Sequence, residues 1–239
     1  MSRAPFPILY EDELLIAIHK PPGLHVHRNA QSGREPTVLP LLRDQLGYRL
    51  YTVHRLDRAT SGVLLFGKSS EGAALMAGLF RERRIAKRYL AVVRGYLTGE
   101  GVVDKPLREF KGDEEMPALT RFRGLATVEL PMAVGNFPTA RYSLVAAFPE
   151  TGRRQQIRRH LAHLAHPIIG DTQKGDGDHN RLFRSEFDLH RLLLMATELA
   201  FEHPLSGRKL RIRAPVHRQV ARLLTRFDWA NAVEAWELP

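Results

Sequence analysis

The sequence predicts an α+β fold built on a mixed, mostly antiparallel β-sheet with flanking helices. Short apolar or alternating segments follow one another along the chain, hairpin signals join some of them, and few helical segments stand between them. A parallel sheet would need helices that alternate regularly with strands, and the sequence does not have that order. At 239 residues, the chain is long enough to bury the core of one large domain or of two small ones.

The expected strands are apolar or alternating segments bounded by turn-forming residues. An acidic turn at residues 11–13 joins the first two, and residues 135–138 join two long ones in a hairpin. In the segment 85–93, strict alternation places Lys87 and Tyr89 on one face. In chain order, the expected strands are residues 8–10, 14–18, 63–66, 85–93, 126–134, 139–148, 192–201 and 209–213.

The expected helices begin at capping residues and repeat apolar side chains at intervals of three and four. Pro36 and Thr37 open the first, and Ser70 caps a second that runs to about Arg83. A third carries four arginines in its first turns and ends at about His166, before Pro167, and the last covers residues 216–226. The polar segments 108–119 and 170–188 are expected to be loops.

Composition narrows the class of function. Lys and Arg number 36 against 26 Asp and Glu, and the resulting net charge of +10 favours a nucleic-acid partner over a membrane surface. The chain has no cysteine, which excludes disulfides, thiolate catalysis and cysteine metal sites. Acidic residues interrupt the first apolar stretch, unlike a signal peptide or a membrane span. We therefore expect a cytoplasmic, nucleic-acid-associated protein.

The stretch 54–68 carries the strongest candidate for chemistry. Asp57 stands between Arg55 and Arg58, and this positive charge favours the ionised carboxylate, which suits a nucleophile or a base. A turn and an apolar strand follow, an arrangement that holds reactive groups still. From these residues alone, a surface Asp–Arg pair beside a strand fits equally well.

Two further regions suit contacts with RNA. Tyr89 has basic neighbours and can stack on a base, although core packing is the commoner role of a strand tyrosine. The helix expected after Thr151 offers side-chain charge and backbone N–H donors to phosphate, and no acidic residue occurs between Glu150 and Asp171. The alternative is a solvated helix face. The four arginines of this segment are Arg153, Arg154, Arg158 and Arg159.

The histidines of the same segment do not predict a metal site. His160, His163 and His166 are three residues apart, so each step turns the side chain by about 60° and the outer two point well apart. No cysteine or carboxylate nearby completes a set of ligands. We expect no metal.

Four motifs, in this order, resemble the RluA-type pseudouridine synthases, and the resemblance covers nearly the whole chain. It implies one catalytic domain over residues 1–239 without a separate N-terminal RNA-binding module, and a sheet in two halves with a central RNA-binding cleft. The motifs are Lys20-Pro21-Pro22-Gly23 with Val26-His27, His54-Arg55-Leu56-Asp57 with Thr60-Ser61-Gly62, Lys87-Arg88-Tyr89, and Thr151-Gly152-Arg153 through Gln156-Ile157-Arg158 with His160.

The resemblance also implies a role for individual residues. Asp57 matches the catalytic aspartate, and Arg55 the arginine that helps to displace the target nucleotide and fills its place. Tyr89 matches the tyrosine that stacks on the flipped uracil. Arg158 matches an arginine that pairs with the aspartate, and Ile157 an apolar residue near the base. The other RNA-binding candidates are Lys20, His27, Arg58, Arg153, Arg154 and Arg159.

The implied reaction converts uridine to pseudouridine in RNA. It needs no cofactor, and the sequence has no glycine motif typical of a nucleotide cofactor. Asp57 either attacks C1′ or removes the C2′ proton, and the sequence leaves both routes open. We expect a monomer that acts on RNA, with no membrane partner.

A finer resemblance is to the branch of the family that modifies uridine 65 in the T stem of tRNA. Segments 123–129 and 158–171 carry it. Ribosomal RNA and other tRNA positions are the alternatives within the family. Gln155 and Met195 depart from the family's usual histidines, and since neither is expected to take part in the bond chemistry, they bear on RNA contacts or packing.

Three unrelated functions fit the sequence less well than this resemblance does. The sequence around Asp57 is superficially similar to the catalytic loop of protein kinases, but an extra leucine separates Arg from Asp and no Asp-Phe-Gly motif follows. A glycosidase would need a second carboxylate placed near the first, and the sequence shows no motif that supplies one. A non-catalytic RNA-binding protein has no use for a carboxylate that faces phosphates, so Asp57, Tyr89 and Arg158 argue against it.

Overall fold

The computed structural model describes residues 6–28, 33 and 35–234. The chain divides into two compact units. The first takes in the residues up to Lys87 together with Ala196–Pro215, and the second takes in Arg88–Met195 together with the residues from Val216 on. None of the described helices is long and apolar enough to cross a membrane.

The described residues of the first unit form antiparallel strands and two helices. Its strands are β1 (Ile8–Glu11), β2 (Leu15–Lys20), β3 (Tyr51–Thr52), β4 (Ser61–Gly67), β9 (Leu194–Glu202, of which residues 196–202 lie in this unit) and β10 (Lys209–Arg213). Their order is β1-β2-β4-β9, with β3 paired to β4 and β10 paired to β9. The helices are α1 (Val38–Leu46) and α2 (Ser70–Arg81). The pairings of β1 with β2, β2 with β4, β3 with β4 and β9 with β10 are antiparallel.

Burial explains the apolar runs 15–18 of β2 and 63–66 of β4. Every residue of β4 is buried, and so is all of β2 except His19. The predicted cap of α2 is corrected by one residue: the hydroxyl of Ser69, not Ser70, accepts the N–H of Gly72 at 3.0 Å. An accepting side chain must precede the first helical residue, and Ser70 is already inside the helix.

Over its described residues, the second unit holds four antiparallel strands in the order β5-β8-β7-β6, and four helices. The strands are β5 (Ala86–Arg94, of which residues 88–94 lie in this unit), β6 (Glu100–Asp104), β7 (Leu119–Leu130) and β8 (Ala140–Pro149). The helices are α3 (Gln156–His163), α4 (Gly177–Phe187), α5 (Arg218–Arg226) and α6 (Ala230–Glu234). The mostly antiparallel α+β fold predicted from the sequence is confirmed.

Three predictions for this unit are wrong. Residues 177–187 of the segment 170–188 form α4 and not a loop, because the carboxylate of Asp176 caps the helix by accepting the N–H of Asp178 at 3.0 Å and Phe183 packs into the core. Strand β7 begins at Leu119, not 126, because its first residues pair with the end of β8. The predicted third helix is shorter, since α3 ends at His163. Two further elements of this unit, β6 and α6, were not predicted from the sequence.

The register of the second unit separates the two faces of its sheet. Tyr142 and Leu144 contribute to an apolar core with Phe183, from α4, and with side chains of α5. Trp229 belongs to the same core: it is 1% exposed, and its ring packs edge-on against that of Phe227, with the ring centroids 5.0 Å apart. The other face carries Tyr89 and Thr120.

Candidate active site

Asp57 lies in the turn before β4, and main-chain hydrogen bonds fix that turn. The N–H of Thr60 donates to the carbonyl of Asp57 at 3.1 Å. The N–H of Gly23 donates to the carbonyl of Arg58 at 2.7 Å, which ties the turn to the loop that follows β2. Asp57 itself is half-buried. The turn therefore presents its carboxylate from a fixed backbone.

A buried lysine supports the same turn. Lys20 is 0% exposed, and its ammonium donates to the carbonyls of Pro21 at 2.9 Å, Arg58 at 3.2 Å and Thr60 at 2.8 Å. The sequence predicts Lys20 as an RNA-binding residue, but a side chain with no exposed surface does not present its charge to a phosphate. The structure assigns it a supporting role, since three acceptors satisfy the three donors of its ammonium.

His54 anchors the start of the same stretch as a neutral ring. It stacks on Phe80 with ring centroids 4.5 Å apart, and its Nε2 accepts the N–H of Leu65 at 3.0 Å. Burial, and then the charge of Lys87, lower the pKa of His54 to about 3. Because Nε2 accepts, the ring proton lies on Nδ1.

Gly62 ties the base of the turn to its neighbouring strand. Its φ is 124°, and a Cβ at this position would collide with the carbonyl group of Ala196 in β9. Only glycine fits this close approach of two backbones.

The other predicted residues of the first unit lie around this turn. Arg55 is exposed, and His27 is half-buried. Arg58 donates from Nε to the carbonyl of Gly23 at 3.2 Å and forms an ion pair with Glu35 at 3.1 Å. Arg58 therefore braces the loop after β2, and its predicted contact with RNA stays a prediction.

In the second unit, a buried glutamine fixes the start of α3. Gln156 is 4% exposed, and its Oε1 accepts from the hydroxyl of Thr151 at 2.7 Å and from the N–H of Arg153 at 2.9 Å. Its Nε2 donates to the carbonyl of Leu119 and to the hydroxyl of Thr120, both at 2.9 Å. The amide uses all its donors and acceptors, so it locks α3 to the start of β7.

His160 forms a second anchor of α3 on the same threonine. Its Nε2 lies 3.1 Å from the carbonyl of Lys105, which can only accept, so Nε2 carries the proton. Its Nδ1 then accepts from the hydroxyl of Thr120 at 3.0 Å. Burial lowers the pKa of His160, which keeps the ring neutral. Within the described residues, no group of three or more His, Cys, Asp or Glu side chains is arranged to hold a metal ion.

Arg158, in the first turn of α3, forms a buried ion pair. Its Nε donates to Oδ2 of Asp171 and its Nη2 to Oδ1, both at 2.7 Å. Arg158 is 6% exposed and Asp171 is 2% exposed. Burial would raise the pKa of Asp171, but the hydrogen bonds from Arg158 and from the amides of Lys174 and Gln173 together lower it. The carboxylate is therefore charged at neutral pH.

The other three arginines of this segment hold a neighbouring loop. Arg153 donates to the carbonyl of Pro117 at 3.1 Å, Arg154 to that of Glu109 at 3.4 Å, and Arg159 to that of Arg108 at 2.6 Å. The guanidinium of Arg154 also lies 4.8 Å from the ring centroid of Phe110. Each guanidinium keeps further N–H donors, so the predicted phosphate contacts are compatible with this arrangement.

Tyr89 lies on the face of the sheet to which α3 is fixed. In the register, Tyr89 and Phe122 both lie opposite Ala147, and Thr120, which bonds to Gln156 and His160, lies two residues before Phe122 on the same face. The second unit thus brings Tyr89 to the same face as the helix of Ile157 and Arg158. The first unit brings Asp57 together with Lys20 and Arg58. The predicted pairing of Asp57 with Arg158 stays a prediction.

Gln156 and Asp171 lie in segments that the sequence singles out, but the sequence assigned neither of them a role. The role of Gln156 was not predictable, because its partners lie on a strand that begins 37 residues earlier in the sequence. Asp171 left a signal: it is the first acidic residue after Glu150, and it ends the basic stretch. A carboxylate at the end of such a stretch is a candidate partner for one of its arginines.

Comparisons with known proteins agree on one family. Residues 14–163 match the family model described as RNA pseudouridylate synthase. The tRNA pseudouridine synthase C of Vibrio parahaemolyticus is 45% identical, over 96% of this chain and 98% of that protein. The protein of the same name from Pasteurella multocida is 47% identical, over 93% and 96%. The solved structure of human RNA Pseudouridylate Synthase Domain Containing 4 is similar with a TM-score of 0.71 and 25% identity, over 93% of both chains.

Proposed function

The chain belongs to the RNA pseudouridylate synthase family, as its motifs indicated, and from this premise we propose that its substrate is tRNA and its target uridine 65. One observation carries the choice of tRNA: relatives 45% and 47% identical along nearly the whole chain bear the name tRNA pseudouridine synthase C. The choice of position 65 rests on the branch resemblance of segments 123–129 and 158–171. We take residues 1–239 as one catalytic domain that works in the cytoplasm.

The reaction exchanges one bond to the ribose for another. The N1–C1′ bond breaks, the uracil turns, C5 bonds to C1′, and the proton that C5 loses is balanced by one that N1 gains. Asp57 is proposed as the group that starts this exchange, by attack at C1′ or by removal of the C2′ proton. The turn that carries Asp57 is held by Lys20 and Thr60 through the main chain, which favours a fixed approach to the ribose.

A uridine in the T stem is paired, so the enzyme must first take it out of the stack. That step costs a few kcal/mol. Arg55 is exposed, which suits its proposed role of filling the vacated place. Tyr89 is proposed to stack on the flipped uracil beside Ile157. The guanidiniums of Arg153, Arg154 and Arg159 are proposed to grip the backbone of the same stem.

The test is direct. The purified protein is incubated with unmodified bulk tRNA and, separately, with ribosomal RNA, and pseudouridine is mapped by chemical labelling, with the Asp57→Asn protein as the inactive control. We expect conversion at tRNA position 65 alone. Conversion confined to ribosomal RNA, or to other tRNA positions, would refute the substrate while leaving the reaction class intact. Binding should also weaken steeply with added salt, because phosphate contacts release counterions.

A further inference from the structure

We propose that Asp171 is a positioning residue for the reaction, which it serves by holding the guanidinium of Arg158 in a single orientation. The inference rests on the proposed function, since it concerns the same site. Asp171 is 13 residues from Arg158 in the sequence and on a different segment, and the two side chains meet inside the second unit.

The geometry of the pair restricts the guanidinium strongly. Two parallel hydrogen bonds, each 2.7 Å long, join the edge of Arg158 that carries Nε and Nη2 to the two oxygens of Asp171. Such a bidentate contact fixes the plane of the guanidinium as well as its position, which a single contact with a lysine ammonium would not do. Nη2 also donates to Oε1 of Gln173 at 3.4 Å, which adds to the restriction.

Asp171 is itself held by the segment around it. Its Oδ1 also accepts the N–H groups of Gln173 and Lys174, both at 2.9 Å. Asn180, in α4, donates from Nδ2 to the carbonyl of Asp171 at 2.9 Å and accepts the N–H of Gly170 at 2.6 Å. The orientation of Arg158 thus depends on a chain of contacts that begins in α4, and the buried carboxylate is the link.

This arrangement differs from a surface ion pair in what it does. A buried and fully hydrogen-bonded pair gives uncertain net stability, because desolvation offsets the attraction between the charges. What it does secure is orientation, which matters at a site where a misplacement of about 1 Å costs on the order of 100-fold in rate. The charged state of Asp171 at neutral pH suits a fixed anion and not a proton donor.

The first experiment compares Asp171→Asn with Asp178→Asn. Asparagine is isosteric and keeps one oxygen for the amides of Gln173 and Lys174, but it places an NH2 group against a donor of Arg158. We expect the single-turnover rate constant to fall about 100-fold, with RNA affinity changed less than about 3-fold. Asp178, which pairs with Arg181 on the exposed side of α4, is the control with the same change of charge, and its variant should keep the wild-type rate.

A double-mutant cycle then asks whether Asp171 acts through Arg158. If it does, the variant that combines Asp171→Asn with Arg158→Lys should be no slower than the slower of the two single variants. A combined loss equal to the product of the two single losses would overturn the proposal, and so would a wild-type rate in Asp171→Asn. A purely structural role would lower the unfolding temperature and leave the single-turnover rate of the folded Asp171→Asn variant unchanged.

A second variant keeps the proposal falsifiable if Asp171→Asn does not fold. Asp171→Glu retains the charge but shifts the carboxylate by one methylene, and we expect a loss of about 10-fold in the single-turnover rate. An unchanged rate in this folded variant would overturn the proposal. Failure of the proposed function is distinguishable, because it would appear in the wild-type protein as a lack of pseudouridine in tRNA. The cycle is therefore measured on whichever RNA the wild-type protein converts.

Discussion

The two regions that carry the proposed chemistry are held in opposite ways. In the first unit, the turn of Asp57 is fixed through its main chain, by Lys20 and by backbone amides that bind its carbonyls. In the second unit, Arg158 is fixed through its own side chain, by the carboxylate of Asp171. Main-chain bracing acts on the backbone carbonyls of the turn, which suits a loop that must present a reactive side chain from a fixed position. Side-chain bracing suits a planar cation that must keep one orientation.

Each region also relies on a neutral histidine. His54 accepts a backbone N–H of β4, and His160 joins the hydroxyl of Thr120 to the carbonyl of Lys105. In both cases burial is the largest cause of the lowered pKa. An uncharged ring therefore helps to hold each region, and in the second unit the buried ion pair of Arg158 with Asp171 acts beside it.

The largest effect is expected at the braced turn itself. Asp57→Asn should abolish pseudouridine formation, with a loss of at least about 1,000-fold, because the amide can neither attack C1′ nor remove a proton. RNA binding should stay within a few-fold of wild type. Single-turnover rates and filter binding measure the two effects, and Asp44→Asn, an exposed substitution with the same change of charge, is the control. Retained turnover would refute the role of Asp57.

The next effect is expected where the side chain is braced. Arg158→Lys keeps the charge but loses the planar fork that binds both oxygens of Asp171, and we expect the rate to fall about 100-fold. The control is Arg222→Lys on the exposed face of α5. A near wild-type single-turnover rate would show that orientation by a bidentate contact is not needed.

Loss of the main-chain bracing by Lys20 should chiefly lower the stability of the protein. Lys20→Met fills the same space but leaves the carbonyls of Pro21, Arg58 and Thr60 without this donor, so the free energy of unfolding should fall by about 3 kcal/mol. The turn of Asp57 should also loosen, with a loss of rate of about 10-fold. Chemical denaturation measures the first effect, and Lys209→Met, on an exposed edge, is the control. An unchanged unfolding midpoint would contradict the supporting role.

The neutral histidine of the first unit predicts a dependence of stability on pH. The pKa of His54 is about 3 in the folded protein, far below the ordinary value of about 6.5 for a histidine, so the unfolded chain takes up a proton that the folded protein does not. Its contribution to stability is present above pH 6.5 and is lost as the pH falls toward 3, by about 2 kcal/mol between pH 7 and pH 5. In His54→Asn, the stability difference between these two pH values should be smaller by that amount. An equal difference in both proteins would argue against a neutral His54.

The smallest effect is expected at Gln155. This residue precedes α3 with a φ of 53°, and histidine is among the residues that tolerate this left-handed conformation. Its Nε2 donates to Oε1 of Gln173 at 2.9 Å, a contact that a histidine can replace. Gln155→His, a return to the usual family residue, should change the rate less than about twofold. A loss of 10-fold would show that the contact with Gln173 helps to position α3.

The sequence predicted the strands better than the loops that complete the site. The apolar run 63–66 in β4 and the alternation of residues 209–213 in β10 predict directly which side chains are buried, and the structure contains both strands. Helix α4 was missed because its stability comes from the cap at Asp176 and the burial of Phe183, while its composition is that of a loop. Local propensity gives way to tertiary packing in such a segment.

The sequence predicted which residues belong to the candidate site, but it did not predict the contacts that hold them. Asp57 and Arg158 follow from motifs, whereas the partners that hold them come from distant parts of the chain. The burial of Lys20 could not be predicted, because its acceptors near Arg58 are 38 residues away. The pair of Arg158 and Asp171 depends on the turn that brings residue 171 back to α3, and no local pattern encodes that turn.

Trp229 gives the second unit an optical signal of its own. Its indole is enclosed by the apolar core and donates from Nε1 to the carbonyl of Thr127 at 3.4 Å, so its fluorescence should lie at short wavelength in the folded protein and shift to the red when that core opens. The other tryptophan, Trp236, lies outside the described residues and can be replaced by phenylalanine. Emission from the remaining indole then reports the unfolding of the unit that holds Arg158, while circular dichroism follows the helices and strands of the whole chain.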